Sequence, residues 1–339
     1  MELESTTFHA PELYGDSWLN GEPVSIRDLR GRVALIDFWD YTSNHCIRSV
    51  PYLSDWAAKY RDFELVVIGV HTPEFKFGKT AGVVQRALER LGIQYPVILD
   101  NEALLWNAFG ARTWPTKYLV DKDGFIRFTQ QGEGNYQQFE RALQQLIVQS
   151  GYRGRLPDLT GHIRDTDSPS TIRYRSTGDI FLGYLKAALG NNDGYNPEST
   201  IDYVDPNIYM PERFYAKGKW LSTRECFTFN GSAGETGSVI VQCDATEVNA
   251  VMNSASTPLS EIIVEQDGHS IAKECWGGDI VKGNDGASLV LVDSPKMYNL
   301  IRNREFGSHK VTLTTSTPGA EIYTLSFTTS AIPELLQTN

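Results

Sequence analysis

Apolar residues follow two different patterns along this chain, and the change falls near its middle. Up to about residue 152, short apolar runs alternate with stretches in which apolar residues recur every three or four positions. The run Val33–Trp39 predicts a buried strand, and residues 43–60 and Tyr136–Gln149 predict amphipathic helices. Strands separated by such helices predict a partly parallel sheet that is covered on both faces.

The second half of the chain favours short strands. Val239, Val241 and Cys243 alternate with polar residues, and a later alternating run ends in an Asp267-Gly268 turn. An apolar segment at 180–185 precedes a stretch that we predict to be a helix. Short strands at regular spacing, with turns between them, are typical of an antiparallel, jelly-roll-like sandwich.

A polar stretch separates the two patterns. Residues from about 151 to 175 are rich in polar and turn-forming types, which is typical of a linker or of an extended arm lying on a domain surface. We therefore predict an α/β domain over residues 1–155, a linker over 156–175 and an all-β sandwich domain over 176–330.

Composition narrows the class of function. The chain has 339 residues, of which 41% are apolar, and a formal net charge of −11, which disfavours non-specific binding to nucleic acid or anionic lipid. No apolar run is long enough for a membrane-spanning helix. The first residues lack the basic start and apolar core of a secretory signal, which favours the cytoplasm. A periplasmic or other extracytoplasmic location stays open if the sequence is a trimmed piece.

The cysteines favour a reducing compartment. Cys46 is alone in the first half of the chain, whereas Cys226, Cys243 and Cys275 fall in apolar or strand-like contexts. A secreted disulfide scaffold is usually denser in cysteine. No two of these cysteines have the spacing of a metal site, so we predict no bound metal.

The stretch from Asp37 to Cys46 carries the candidate chemistry. Here the predicted strand passes through a short turn into a helix that begins near Ser43. Redox motifs of the Cys-x-x-Cys type occur at such junctions, because a helix N-terminus lowers the pKa of a thiol. In this chain the spacing is Ser43-x-x-Cys46, so only one sulfur is present.

Ser43 has two possible roles. Serine is a favoured N-cap residue, whose oxygen accepts a hydrogen bond from the amide three residues on, here that of Cys46. A catalytic serine needs a base to activate its hydroxyl, and none is evident in the sequence. We therefore predict that Ser43 caps the helix.

Several segments match a known family in the expected order: Asp37-Phe38-Trp39, Cys46-Ile47-Arg48, His71-Thr72-Pro73-Glu74-Phe75, Tyr95-Pro96-Val97, Trp114-Pro115-Thr116-Lys117 and Gly132-Glu133-Gly134. Through them the first half resembles the thioredoxin-like redoxins of the TlpA and AhpC/TSA kind. The closest resemblance is to the soluble C-terminal region of DipZ-type proteins, in which a carbohydrate-binding-module-like domain follows the redoxin domain. A thinner resemblance continues to about residue 328. Taken over the whole chain, the resemblance implies a thioredoxin-like α/β domain, an all-β second domain and thiol–disulfide oxidoreductase activity.

The resemblance also implies site residues. It places Ser43 where the family has its attacking thiol and Cys46 where it has the resolving thiol. Asp37 would then accept the proton of Cys46, and a cis Pro115 would line a groove for an extended peptide. The other groove residues that it implies are Trp39, His45, Trp114 and Thr116.

Several of these assignments have alternatives. Asp37 is also consistent with an acid at the end of the strand that faces water, Pro115 with an ordinary trans proline that starts a strand, and Cys46 with a buried residue that does not react. A protonated His45 would favour the thiolate of Cys46, but an exposed imidazole without a partner is equally consistent with the sequence. In the second domain, Trp276-Gly277-Gly278-Asp279 indicates a loop with an exposed ring, so Trp276 and Asp279 are weak candidates for a glycan contact. Aromatic residues also fill sandwich cores, which is the structural alternative.

The sequence therefore supports two functions. In the first, the chain is a thiol–disulfide oxidoreductase-like protein with a degenerate Ser43-x-x-Cys46 site. Cys46 then supports at most single-thiol chemistry on protein or peptide substrates, without a bound cofactor. In the second, the chain is redox-silent and binds a peptide in the retained groove and a glycan in the second domain. A peroxidase ranks last, because peroxidatic cysteines usually lie near the position of Ser43.

Overall fold

The computed structural model describes residues 8–15 and 17–335. It divides the chain into two compact units, Met1–Ser170 and Thr171–Asn339. Within the described ranges, no helix is long and apolar enough to cross a membrane.

The first unit is a thioredoxin-like domain built on a six-stranded mixed sheet. Its strands are β1 (Trp18–Leu19), β2 (Val33–Trp39), β3 (Leu65–His71), β4 (Val97–Leu99), β5 (Thr116–Val120) and β6 (Ile126–Gln131). Its helices are α1 (Asn44–Lys59), α2 (Ala81–Leu91), α3 (Leu104–Phe109) and α4 (Tyr136–Gln149). The strand order is β1-β4-β3-β2-β5-β6. Strands β2, β3 and β4 run parallel and the other pairings are antiparallel, which confirms the predicted α/β class.

Strand β2 explains how this domain buries both faces of its sheet. Val33 and Leu35 pack in a core with residues of α1, α2 and α4, whereas Ile36 and Phe38 pack on the opposite face with residues of α3. Side chains alternate along a strand, so Asp37 shares the face of Leu35 and lies on the side of α1.

The second unit is an all-antiparallel sheet of 11 strands. These are β7 (Ile180–Phe181), β8 (Ser199–Tyr203), β9 (Phe214–Ser222), β10 (Phe227–Phe229), β11 (Gly237–Ser254), β12 (Ser260–Gln266), β13 (His269–Ser270), β14 (Ile280–Lys282), β15 (Ser288–Val292), β16 (Lys296–Thr315) and β17 (Ala320–Thr328). The path is β14-β15-β12-β16-β11-β17-β10-β9-β8, with β13 on β12 and β7 on β17. The predicted all-β class of this domain is confirmed.

The long strand β11 lets this sheet close around a single apolar core. Its first half pairs with β9, its second half pairs with β17, and β10 connects those two partners. The register against β16 shifts between Ala245 and Glu247, where the ladder is interrupted. Such an irregularity bends a strand, so the layers of the domain belong to one continuous sheet.

One predicted segment is wrong, and another takes one of its two predicted forms. The helix predicted after residue 185 is wrong, because residues 182–198 form turns and Ala187 adopts a left-handed φ of 50°. Within the predicted linker, residues 158–167 form an extended arm on the first unit. The main-chain N–H of Thr160 donates to Glu140 at 2.7 Å, and the hydroxyl of Tyr52 donates to Asp167 at 2.8 Å.

Candidate functional site

Ser43 caps the helix that carries Cys46. It has an extended backbone (φ −86°, ψ 118°), and its hydroxyl oxygen accepts a hydrogen bond from the main-chain N–H of Cys46 at 3.4 Å. This bond satisfies one of the amides that a helix leaves unpaired at its N-terminus. The predicted capping role of Ser43 is confirmed.

Cys46 lies below this cap and is only 1% exposed. Burial raises the pKa of its thiol far above the usual range, and the nearby carboxyl of Asp37 raises it further. Hydrogen bonds from the main-chain N–H of Asp40 and the hydroxyl of Ser43 favour the thiolate but do not offset burial. The resting site therefore holds a protonated, shielded thiol at neutral pH.

Asp37 is the carboxyl group that the sequence predicts as the proton acceptor of Cys46, and it too is buried. Burial raises the pKa of Asp37 to about 7, although the positive charge of Lys117 acts in the opposite direction. The ammonium nitrogen of Lys117 lies 3.8 Å from Oδ1 of Asp37. A carboxyl group that titrates near neutral pH can both accept and return a proton.

The sequence interpretation gave Lys117 no role. In the sheet, Lys117 on β5 is the register partner of Asp37 on β2, and Gln130 on β6 follows on the other side of Lys117. Among the described residues, Nζ of Lys117 and Oδ1 of Asp37 have no hydrogen-bond partner. The signal in the sequence was a lysine inside an otherwise apolar strand, but only the strand pairing identifies its partner.

The proline loop, residues 113–116, lies at the same end of the sheet as the start of α1. Its Trp114–Pro115 peptide bond is cis, as the resemblance implies. Because Phe38 near the end of β2 pairs with Thr116 at the start of β5, the loop adjoins the turn that leads to Ser43. Among the described residues, none forms a hydrogen bond with the main-chain N–H or C=O of Trp114.

The side chains of this loop are largely occupied within the domain. The hydroxyl of Thr116 donates to the carbonyl oxygen of Thr113 at 2.6 Å, and both Thr116 and Pro115 are buried. The half-buried indole of Trp114 donates to the carbonyl oxygen of Thr72 at 3.1 Å and packs on Trp106 at 4.5 Å. The side chain of Thr116 is thus turned inward, so its substrate contact stays a prediction, and Thr113 and Trp114 are the partly exposed residues of the loop.

Trp39 does not lie at the surface either. It is 1% exposed, packs within the core on the α1 side of the sheet and meets His71 edge to face at 5.5 Å. Its indole ring cannot touch a bound peptide without a rearrangement of the core. The prediction that Trp39 binds substrate directly is wrong, because the strand places it on the inward face.

His45 is exposed, but it has a partner. Its Nδ1 lies 2.9 Å from Glu133, and the other oxygen of Glu133 accepts a hydrogen bond from Arg48 at 2.7 Å. Burial opposes ionisation of Glu133, but the bonds and charges of His45 and Arg48 outweigh it and hold its pKa below the usual value. The sequence interpretation assigned no role to Glu133, whose position depends on this long-range pairing.

Asp40 anchors the turn before Ser43. Its carboxylate accepts hydrogen bonds from the main-chain N–H groups of Thr42 at 2.8 Å and Glu74 at 2.5 Å. The fully buried His71 places its Nε2 3.7 Å from the same carboxylate. Burial works against ionisation of Asp40, but the electrostatic interaction with His71, together with these amides, holds the pKa of Asp40 below the usual value. The turn is thereby fixed to the loop that follows β3.

The glycan candidates in the second unit are engaged in packing. The half-buried indole of Trp276 donates to the carbonyl oxygen of Ile271 at 2.9 Å and lies against the apolar core. Asp279 accepts a hydrogen bond from the main-chain N–H of Asn299 at 2.8 Å. The ring is therefore less exposed than the loop pattern indicated, and a glycan contact stays a prediction. In the described part of the chain, no group of three or more metal-ligating side chains is found.

Known proteins match both units. Residues 6–129 match the AhpC/TSA family, and residues 177–328 match the thioredoxin like C-terminal domain. The chain is 33% identical to Protein DipZ of Mycobacterium tuberculosis over 253 residues, which cover 73% of this chain and 35% of DipZ. It therefore spans about a third of the length of that relative.

Two further similarities concern the first unit. The chain is 28% identical to the thiol-disulfide oxidoreductase YkuV of Bacillus subtilis over 41% of this chain and 95% of YkuV. The crystal structure of a thiol-disulfide isomerase from Corynebacterium glutamicum aligns with 41% of this chain and 96% of its own, at 26% identity and a TM-score of 0.37.

The fold and these matches define a two-domain, thioredoxin-like protein. Residues 6–129 thus match an AhpC/TSA redoxin domain and residues 177–328 match a thioredoxin-like C-terminal domain, and the first of these is similar to thiol-disulfide oxidoreductases.

Proposed function

We propose that this chain acts on protein or peptide disulfides through a degenerate Ser43-x-x-Cys46 site that supports at most single-thiol chemistry. The observation that carries the proposal is the Ser43 cap. Its oxygen bonds the amide of Cys46, so the hydroxyl stands at the helix terminus where a first thiol would be most activated. With one sulfur, the site cannot form its own disulfide.

The buried carboxyl group supports a single exchange step. Asp37 takes the proton of Cys46, and the resulting thiolate attacks one sulfur of a substrate disulfide. The substrate S–S bond breaks, its other sulfur leaves as a thiolate that takes up a proton, and a mixed disulfide forms on Cys46. An external thiol then attacks the mixed disulfide, which releases the substrate as a new disulfide and restores Cys46.

The proline loop supplies a surface for an extended peptide. The main-chain groups of Trp114 have no hydrogen-bond partner among the described residues, so they are available to a substrate backbone. The similarity to YkuV, a thiol-disulfide oxidoreductase, supports this class of substrate. Because Cys46 is 1% exposed, the helix N-terminus must open for the exchange, and we expect it to be slow.

The test is the formation of a glutathione adduct on the folded protein. Glutathione disulfide is added at about pH 8, above the pKa of about 7 for Asp37, and adducts are located by peptide mass mapping. The half-buried Cys275 is replaced by alanine in every sample to remove the most accessible competing thiol. We expect an adduct on Cys46 that dithiothreitol removes.

Two variants complete this test. Asp37→Asn should slow the adduct by ~10²-fold, because general-base assistance has about that size. Cys46→Ala should abolish it. If Cys46 of the folded Cys275→Ala protein stays unmodified while the urea-unfolded protein reacts, the site is redox-silent and the proposal fails.

A further inference from the structure

Gly69 has no side chain, and the space that this leaves beside Asp37 is occupied by larger side chains of neighbouring residues. Asp37 on β2 pairs with Gly69 on β3, which pairs with Val97 on β4. A Cβ atom on Gly69 would lie 2.9 Å from Nε1 of Trp39 and 3.3 Å from Cε2 of Tyr95. Trp39 and Tyr95 therefore cover the glycine, and Tyr95 covers it from the side of β4.

Tyr95 also lines a cavity of about 270 Å³ in the first unit. Ser54 of α1 and the exposed residue Arg61 line the same cavity. Since one water occupies about 30 Å³ in the liquid, this volume holds several waters. The hydroxyl of Ser54 is buried and has no hydrogen-bond partner among the described residues.

The hydroxyl of Tyr95 is shielded from solvent. It is fully covered and has no hydrogen-bond partner among the described residues. Burial, followed by the charges of Asp37 and Cys46, raises the pKa of Tyr95 well above its usual value. Tyr95 therefore feels the charges of Asp37 and Cys46 and also belongs to the lining of the cavity.

We propose that the ring of Tyr95 is a seal that keeps water in this cavity away from Asp37 and Cys46. Tyr95 is then a positioning residue for proton transfer, because it excludes water from the carboxyl group of Asp37. This inference rests on the proposed function, in which Asp37 receives the proton of Cys46. The charged or titratable groups that face Asp37 are Lys117 from β5 and Cys46 from α1, while Arg61 borders the cavity side.

The proposal separates the role of the ring from that of the hydroxyl. Removing the ring admits water, reduces the desolvation of Asp37 and lowers its pKa toward the ordinary value. Removing only the hydroxyl leaves the seal in place. Tyr118 provides a matched control, since it is a buried tyrosine on the opposite face of the sheet whose hydroxyl donates to Phe109 at 2.9 Å.

The experiment is an NMR titration of the Asp37 carboxyl carbon in the full chain, assigned by its loss in Asp37→Asn. We expect Tyr95→Ala, and the less disruptive Tyr95→Val, to lower the midpoint by at least about one pH unit, a tenfold change in the protonation ratio. Tyr95→Phe and Tyr118→Phe should leave the midpoint unchanged.

Two results would overturn the seal: a wild-type midpoint in a folded Tyr95→Val or Tyr95→Ala protein, or an equal shift in Tyr95→Phe. The titration does not require turnover. A shifted midpoint without a glutathione adduct on Cys46 would therefore refute the proposed function and leave the seal intact.

Discussion

The two units bury different kinds of polar residue. Among the described residues, the buried charged or ionisable side chains other than tyrosine and cysteine all lie in the first unit: Asp37, Asp40, His71, Asp100, Lys117, Glu140 and Asp167. The second unit buries only uncharged asparagine, serine and threonine side chains as its polar residues. Burying charge without full pairing is unfavourable. The incompletely paired Asp37 and Lys117 therefore do not help to stabilise the fold, which indicates a role in function.

The cysteines sharpen this comparison. Burial raises the pKa of Cys226 and Cys243 to about 12 in the second unit, and it raises that of Cys46 as well. Burial therefore does not distinguish Cys46. What distinguishes it is its place in the first turn of a helix, capped by Ser43, beside the carboxyl of Asp37. The neighbours, and not the acidity of the resting thiol, identify the candidate site.

The largest effect that we expect is on the apolar core of the second unit. Trp220 is fully buried, and its ring packs against Phe229 at 5.5 Å. Trp220→Ala should lower the free energy of unfolding by about 3–5 kcal/mol, because it leaves a large cavity. Urea titrations at several pH values should give the same loss, since no buried charge lies in this core. A loss below ~1 kcal/mol, or one that varies strongly with pH, would contradict the comparison.

The next effect tests the buried pair of the first unit. Lys117→Met removes the charge that opposes burial, so the pKa of Asp37 should rise above about 7. The unfolded carboxyl ionises near pH 3.9, whereas the folded one stays protonated to a higher pH, so stability falls as the pH rises between these values. From about pH 4 to pH 8, the free energy of unfolding of Lys117→Met should fall by roughly 4 kcal/mol more than that of the double variant Asp37→Asn/Lys117→Met.

Denaturation of both variants across this range measures the difference directly. Parallel curves for the single and the double variant would mean that Asp37 does not titrate abnormally in the fold.

The smallest effect concerns the helix cap. Ser43→Ala removes the acceptor of the Cys46 amide and should lower the free energy of unfolding by ~1 kcal/mol. Ser43→Asn keeps an oxygen acceptor, so its free energy of unfolding should fall less than that of Ser43→Ala. Urea denaturation of the two variants distinguishes them, and equal losses would argue against a capping role.

Local patterns predicted much of the first unit. The helix predicted over Tyr136–Gln149 has those ends in the structure, and the strand Val33–Trp39 is also as predicted. Both are specified by short-range periodicity. In the second unit, alternation identified strands but not their length, because the polar stretch near Asp244 interrupts the pattern while β11 continues through it.

The site was predictable only where one segment contains it. Asp37, Ser43 and Cys46 lie within one strand–turn–helix unit, so their arrangement follows from sequence spacing. Lys117 and Glu133 are far along the chain from their partners and depend on sheet register and loop closure. Lys117 stands out as a lysine in an otherwise apolar strand, but the sequence does not identify its partner, and Glu133 has no feature that separates it from an ordinary exposed charge.

The most direct test of the central claim restores the missing sulfur. We propose that Ser43 replaces the first thiol on an otherwise retained framework. Ser43→Cys should then form an intramolecular disulfide with Cys46 in a glutathione redox buffer, detected by mass mapping, and should reduce insulin disulfides much faster than wild type and Ser43→Ala. A folded Ser43→Cys protein whose two thiols stay free under oxidising conditions would contradict the account.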